Sequence, residues 1–160
     1  MAQTSKDIRS EKLYEKHAWI LLFAVGILGS IGSYQFLTGT EPDPQYFNNI
    51  AGTTWDRFIA GKEGIVFYVE DALRVTGVLF LGLCMTIMAI SATAFRKGER
   101  WAWYLLWYLP ISLGWMTWLL YSSGGSSWSL HLMLSILSLL GLLLPLRKFF
   151  PATHTRNTVS

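Results

Sequence analysis

Glu70, Asp71 and Arg74 are the residues whose types and spacing most invite chemistry. They lie in "VEDALRVTG", residues 69–77, immediately before the apolar run "VLFLGLCMTIMAI". On a helix Glu70 and Arg74 are i, i+4, with the acid on the N-terminal side, and Asp71 and Arg74 are i, i+3, so all three share one face. Charges at the edge of a lipid-facing segment are costly unless they are paired or face protein or water. Two roles fit. One is an ion pair at the membrane boundary, with a snorkelling arginine that sets helix depth. The other is a binding site in which the three charges join His131, Tyr34 and Gln35, all at the same end of their own apolar segments, with Trp115, Trp118 and Tyr121 nearby. Such a set offers an acid, a base and aromatic surface to the polar head of an amphipathic ligand.

Other chemistries are poorly served. His17 and His131 fall at opposite ends of their segments, so they cannot ligate one haem iron. One histidine and two acids in no recognisable spacing make a poor metal set. There is no G-x-x-x-x-G-K and no G-x-S-x-G motif, and Cys84 sits within an apolar run, where it packs as a small apolar residue. The apolar segments carry too few polar residues to line a pore. The sequence calls for no metal and no cofactor.

These residues must be positioned by apolar helices. Of 160 residues, 52% are hydrophobic and only 14% charged, against roughly a quarter charged in an ordinary soluble domain. Four runs reach the length of a membrane span, at about 17–37, 72–95, 101–121 and 128–146. They do not alternate, so in lipid they are helices rather than barrel strands. Ten Lys and Arg fall in the N-terminal segment, the 96–100 turn and the C-terminal tail, against three around the first loop, Arg57, Lys62 and Arg74, and none in "SSGGSS". That asymmetry predicts a multi-pass protein of the cell membrane with both termini cytoplasmic. The expected fold is all-α, a single membrane domain folded as a four-helix up-down bundle with two short helices in the outer loop, residues 38–67. The expected partners are the lipid bilayer and other membrane subunits or further copies of the chain. With a net charge of +3 and no basic tract, nucleic acid is not one of them.

Local signals refine this picture. Asp43 as N-cap, Pro44 at the first helical position and Gly52 at the end predict one short helix; Thr53 as N-cap and Gly61 at the end predict another. Arg96, Lys97, Arg100, Trp101 and Trp103 in the turn "FRKGERWAW" read as lipid-headgroup anchors. Gly26 with Ser30, Gly29 with Ser33, and Gly82 with Thr86 are small-residue pairs that let helices approach. Pro110 predicts a kink in the third run. His131, Ser135 and Ser138 share one face, expected to turn inward, with His131 in reach of Glu70 and Arg74 or of Tyr34 and Gln35.

The segment "ALRVTG" and the turn "FRKGERWAWYLLWYLP", residues 95–110, resemble a group of small prokaryotic four-helix integral membrane proteins. In these an R-x-G-x-R-W-A-W turn joins the second and third helices, and the general shape is DoxX-like. The resemblance covers about residues 40–145 and implies a four-helix membrane bundle. Some DoxX-like proteins take part in membrane redox chemistry of quinones or thiosulfate, but no residue set here carries that over. Two functions are therefore expected from the sequence. The first is an accessory or interaction subunit of a membrane complex. The second is a membrane-embedded protein or enzyme that binds an amphipathic ligand, a quinone or a lipid, near the outer leaflet.

Overall fold

The structure is a computed structural model and describes residues 13–39 and 42–150. Lys6, Arg9, Lys12 and Arg156, which contribute to the charge asymmetry, lie outside the described residues. Every regular element among the described residues is helical. A short α1, Leu13–His17, leads into α2, Trp19–Thr38. Then come α3, Pro44–Ala51, and α4, Trp55–Ile59, followed by the long α5, Glu63–Ile90, which runs on as a π-helical turn, Ser91–Phe95. Beyond the 96–99 turn lie α6, Arg100–Leu106, α7, Tyr108–Ser122, α8, Trp128–Leu143, and α9, Leu146–Phe149.

The break between α6 and α7 is the expected proline kink. Pro110 has no amide to give the Leu106 carbonyl, and its ring crowds that carbonyl. The chain responds at Trp107, whose amide reaches Tyr104 O at 3.3 Å in a tighter turn. Trp107 Nε1 is buried there and has no partner among the described residues, a cost of about 1–3 kcal/mol. The fourth run is shorter than expected. α8 ends at Leu143, since Pro145 cannot continue it, and the helix resumes as α9 at Leu146. The second run is longer than expected. α5 begins at Glu63, so Glu70, Asp71 and Arg74 lie inside the helix rather than at its start.

α2 is the spine. It packs along α5 on one side and α8 on the other, and α7 packs on α8. Glycines set the closest approaches. A Cβ at Gly26 would stand 3.2 Å from the Cys84 carbonyl, and one at Gly29 would stand 2.6 Å from Cys84 Sγ. Across α2 and α8, a Cβ at Gly141 would stand 2.9 Å from Leu22 Cγ. The pair Gly82 and Thr86 is not a packing face: nothing lies within 4 Å of a Cβ at Gly82, and Thr86 is exposed.

The hydrophobic core sits at one end. Leu22, Ile87, Phe95, Ala102, Leu106, Leu142 and Phe149 form it beside the 95–103 turn. Residues 146–150 lock that end. Arg100 Nε donates to Phe149 O at 3.1 Å, Lys148 Nζ to Arg96 O at 3.0 Å, and Trp103 Nε1 to Leu142 O at 3.0 Å. The last bond satisfies one of the carbonyls that a helix C-terminus leaves without a partner. Of the five residues read as headgroup anchors, Arg100 and Trp103 are therefore engaged within the protein. Arg96 stacks over Trp19 at 5.3 Å. Lys97 and Trp101 are exposed, and Trp101 donates to Glu99.

At the opposite end α3 and α4 form as the capping residues imply. Asp43 accepts from the Gln45 and Tyr46 amides, each at 3.0 Å, and Gly52 closes α3 at φ 66°. The N-cap of α4 is Thr54 rather than Thr53. Phe47, Trp55 and Phe58 pack as a small aromatic core. The loop is tied to the 123–126 turn, where Ser126 Oγ donates to Asp43 Oδ2 at 2.8 Å and Asn49 Nδ2 donates to Ser123 O at 3.0 Å.

Asp43 gives this loop a pH dependence. The Tyr46 amide, aided by the Ser126 hydroxyl and the Gln45 amide and opposed by partial burial, holds its carboxyl below the ordinary 3.8. A carboxylate with a lowered folded value stabilises fully above its unfolded value, and that stabilisation is lost as pH falls through the folded one. The expectation is that wild type and Asp43→Asn differ most above about pH 4 and converge in more acid solution. Thermal unfolding across that range checks it, and a gap that widens on acidification would contradict the assignment.

Candidate functional site

Because α2 holds α5 and α8 on different sides, and α7 leans on α8, the walls α5 and α7 meet at most marginally. Between them, away from the core end, a cleft of about 890 Å³ opens sideways. Thr76, Phe80 and Leu83 of α5 form one wall, and Tyr108, Ile111, Ser112, Trp115 and Trp118 of α7 the other. Phe36 of α2 and His131 of α8 also line it.

The close approaches give the depth of each group. α2 runs antiparallel to α5, with Leu37 against Gly77 and Gly26 against Met88, which sets Phe80 level with Ser33. α2 also runs antiparallel to α8, with Leu22 against Gly141, which sets His131 level with Gly32. Ser135 Oγ donates to Pro110 O across α7 and α8 at 3.1 Å and lies against Gly114, so Trp115 falls near the level of Ser135, one turn from His131. Phe80 and His131 thus stand near one depth, and Trp115 lies within about one turn of them.

His131 is half-buried, and its Nδ1 lies 2.9 Å from Ser127 O on its own helix. A carbonyl only accepts, so Nδ1 carries a proton. In the neutral ring Nε2 is then an acceptor, and no protein group among the described residues fills it. The serine face turns as its spacing implies: Ser138 is fully buried and donates to Ser135 O at 2.8 Å.

The cluster read from the sequence does not assemble. Arg74 Nη2 lies 3.3 Å from Glu70 Oε2, while Asp71 is exposed and takes no part in the pair. With the arginine side chain 54% exposed, solvent screens the pair and it contributes under about 1 kcal/mol. Tyr34 and Gln35 are exposed on a different face of α2, and it is Phe36 that reaches the cleft. No hydrogen bond or ion pair joins His131 to Glu70, Asp71, Arg74, Tyr34 or Gln35 among the described residues. Tyr121 packs on Trp128 at 5.6 Å. The residues that sequence reasoning missed, Thr76, Phe80, Leu83, Tyr108 and Ser112, carry no local signal, being ordinary members of apolar runs. Among the described residues no group of three His, Cys, Asp or Glu is placed to hold a metal ion.

The chain is an all-α protein with two helices, Glu15–Thr38 and Gly64–Phe95, long and apolar enough to cross a membrane, and a shorter apolar helix, Trp128–Leu143. No family model matches it, and searches of curated proteins and of solved structures likewise give no match.

Proposed function

We propose that the chain is a multi-pass protein of the cell membrane, with four spans and cytoplasmic termini, that holds an amphipathic molecule in the cleft between α5 and α7. The cleft is the observation that carries the binding function. Its volume lies within the usual range of small-molecule sites, about 300–1,000 Å³, and like them it is an apolar groove with a few polar groups. Membrane placement draws support from the surface. Ile31, Leu79 and Ile111 are 63%, 70% and 64% exposed on three different helices, a breadth of bare apolar surface that soluble monomers rarely carry. The Lys and Arg count then orients the protein with the 95–103 turn inside and α3 and α4 outside. In that orientation the cleft opens in the outer half of the bilayer and faces lipid, so an amphipathic ligand reaches it without crossing water.

A second reading keeps the chain as an accessory subunit. The same bare cleft would seat a partner's transmembrane helix, and the marginal contact between α5 and α7 favours it.

Purification in mild detergent followed by native mass spectrometry separates the two. A single species carrying a lipid-sized adduct supports ligand binding, and a stoichiometric second membrane subunit supports the accessory role. Topology is checked by cysteine labelling in intact cells. A cysteine at the exposed Asn48 should react with an impermeant maleimide and one at the exposed Lys97 should not. The reverse pattern would invert the orientation and move the cleft to the inner half.

A further inference from the structure

The cleft is specific in what it offers a ligand, and its chemistry narrows the class. Its lining contains no Lys, Arg, Asp or Glu. A charged head seated there would lose its hydration with no counter-charge, at a cost no apolar contact offsets. The ligand is therefore uncharged within the cleft.

The lining atom that can only accept is the imidazole Nε2 of His131, while the Tyr108 hydroxyl can donate or accept and the Trp115 and Trp118 indoles can donate. Ser127 O accepts from Nδ1–H, which fixes the tautomer, and Nε2 remains as an acceptor that the fold neither fills nor seals. Two of the other hydroxyls are already spent as donors. Thr76 Oγ1 donates to Ala72 O at 2.7 Å, and Ser112 Oγ donates to Leu109 O at 3.1 Å, so neither has a proton left to give. An imidazole acceptor in an apolar cleft selects a ligand that brings its own donor. Phe80 faces the cleft from the α5 wall near the depth of His131, and Trp115 and Trp118 face it from the α7 wall, their ring centroids 5.2 Å apart. Ring walls of this kind favour an offset-stacked or edge-on planar partner. Toward mid-membrane the lining becomes Leu83, Ile111 and Tyr108, a largely apolar stretch suited to an apolar tail.

We infer that the cleft takes an uncharged amphipath with a ring-bearing head, whose hydroxyl donates to His131 Nε2 while the ring lies between Phe80 and Trp115. The inference rests on the ligand-binding reading above and adds the chemical class. The step is binding alone, with no bond made or broken.

The test uses the full chain in detergent, titrated with a para-alkylphenol, its methyl ether, a monoacylglycerol and a fatty-acid anion of matched chain length. Bound ligand is counted by native mass spectrometry. The phenol should bind about threefold to tenfold more tightly than its ether, the ratio one net hydrogen bond supplies. His131→Phe, which keeps a ring but removes the acceptor, should abolish that ratio while the variant stays folded. Equal binding of phenol and ether to wild type overturns the role of His131 without requiring any variant. Tighter binding of the monoacylglycerol overturns the ring-bearing head, and tighter binding of the anion overturns the uncharged one. Failure of all four to bind sinks the ligand-binding reading itself, an outcome distinct from the others.

Discussion

Truncating Phe149 to alanine is expected to cost about 3–5 kcal/mol, the range for removing a buried aromatic side chain. Phe149 is 1% exposed, and its ring lies 4.9 Å from that of Phe95, at the close of the long α5 segment. Its backbone carbonyl is the acceptor for Arg100 Nε. The ring therefore holds a short C-terminal helix against the turn that joins the two helical halves of the molecule. Loss of the ring should open that turn as well as lower stability. Two readouts follow. Reversible unfolding in mixed micelles should show the loss, and trypsin should cut faster after Lys97 and Arg100. A loss within about 0.5 kcal/mol, the level of an ordinary surface substitution, with unchanged cleavage would mean that residues 146–150 are not what locks this end.

That lock illustrates where the sequence was readable and where it was not. Features set within a few residues were legible. Asp43, Pro44 and Gly52 bound α3 because caps act over one turn. Glu70 and Arg74 pair because i, i+4 spacing needs only a helix. Pro110 breaks the third run through its own missing amide. Which way a helix faces is a different matter. α2 is apolar on every side, so its periodicity names no buried face. Tyr34 and Gln35 had the right depth but the wrong direction, and Phe36, one residue on, reaches the cleft. His131 was found because a histidine in an apolar run stands out. Phe80 and Trp115, its neighbours in the cleft lining, were lost among many equivalent aromatics. Trp103 is the same problem reversed, an interfacial residue by type that spends its indole on the end of α8.

The cleft itself had no signature in the chain because it is a consequence of how α2 is shared. One helix cannot give its full length to two neighbours and also bring them together. At the core end Phe95, Leu106 and Phe149 fill the space between the halves. At the other end nothing of that size does so, and the link is made by the loop, through Asp43 with Ser126 and Asn49 with Ser123. The cleft thus lies between a packed end and a tethered one. Its width depends on the α2–α5 contact more than on any residue that lines it.

Gly26→Ile should therefore be severe and Gly82→Ile nearly silent, although both glycines sit in small-x-x-x-small pairs. A Cβ at position 26 would stand 2.5 Å from Met88 Cγ, 3.2 Å from the Cys84 carbonyl and 3.5 Å from the Met88 amide. The methionine side chain can move, but the carbonyl and amide belong to α5 and move only if the helix does. In the membrane placement proposed above, close packing rather than water exclusion holds the pair together. A branched side chain at Gly26 should cost about 2–3 kcal/mol, the upper part of the overpacking range. By pushing α5 away from α2 it should also widen the cleft and weaken retention of any ligand there. At position 82 a Cβ meets nothing within 4 Å, so a side chain there extends into open surroundings, with a change within about 0.5 kcal/mol. Unfolding of both variants in mixed micelles, beside wild type, measures the contrast. Equal losses at the two positions would mean that α2 and α5 do not meet along the Gly26–Gly29 face, and the cleft would lose its wall.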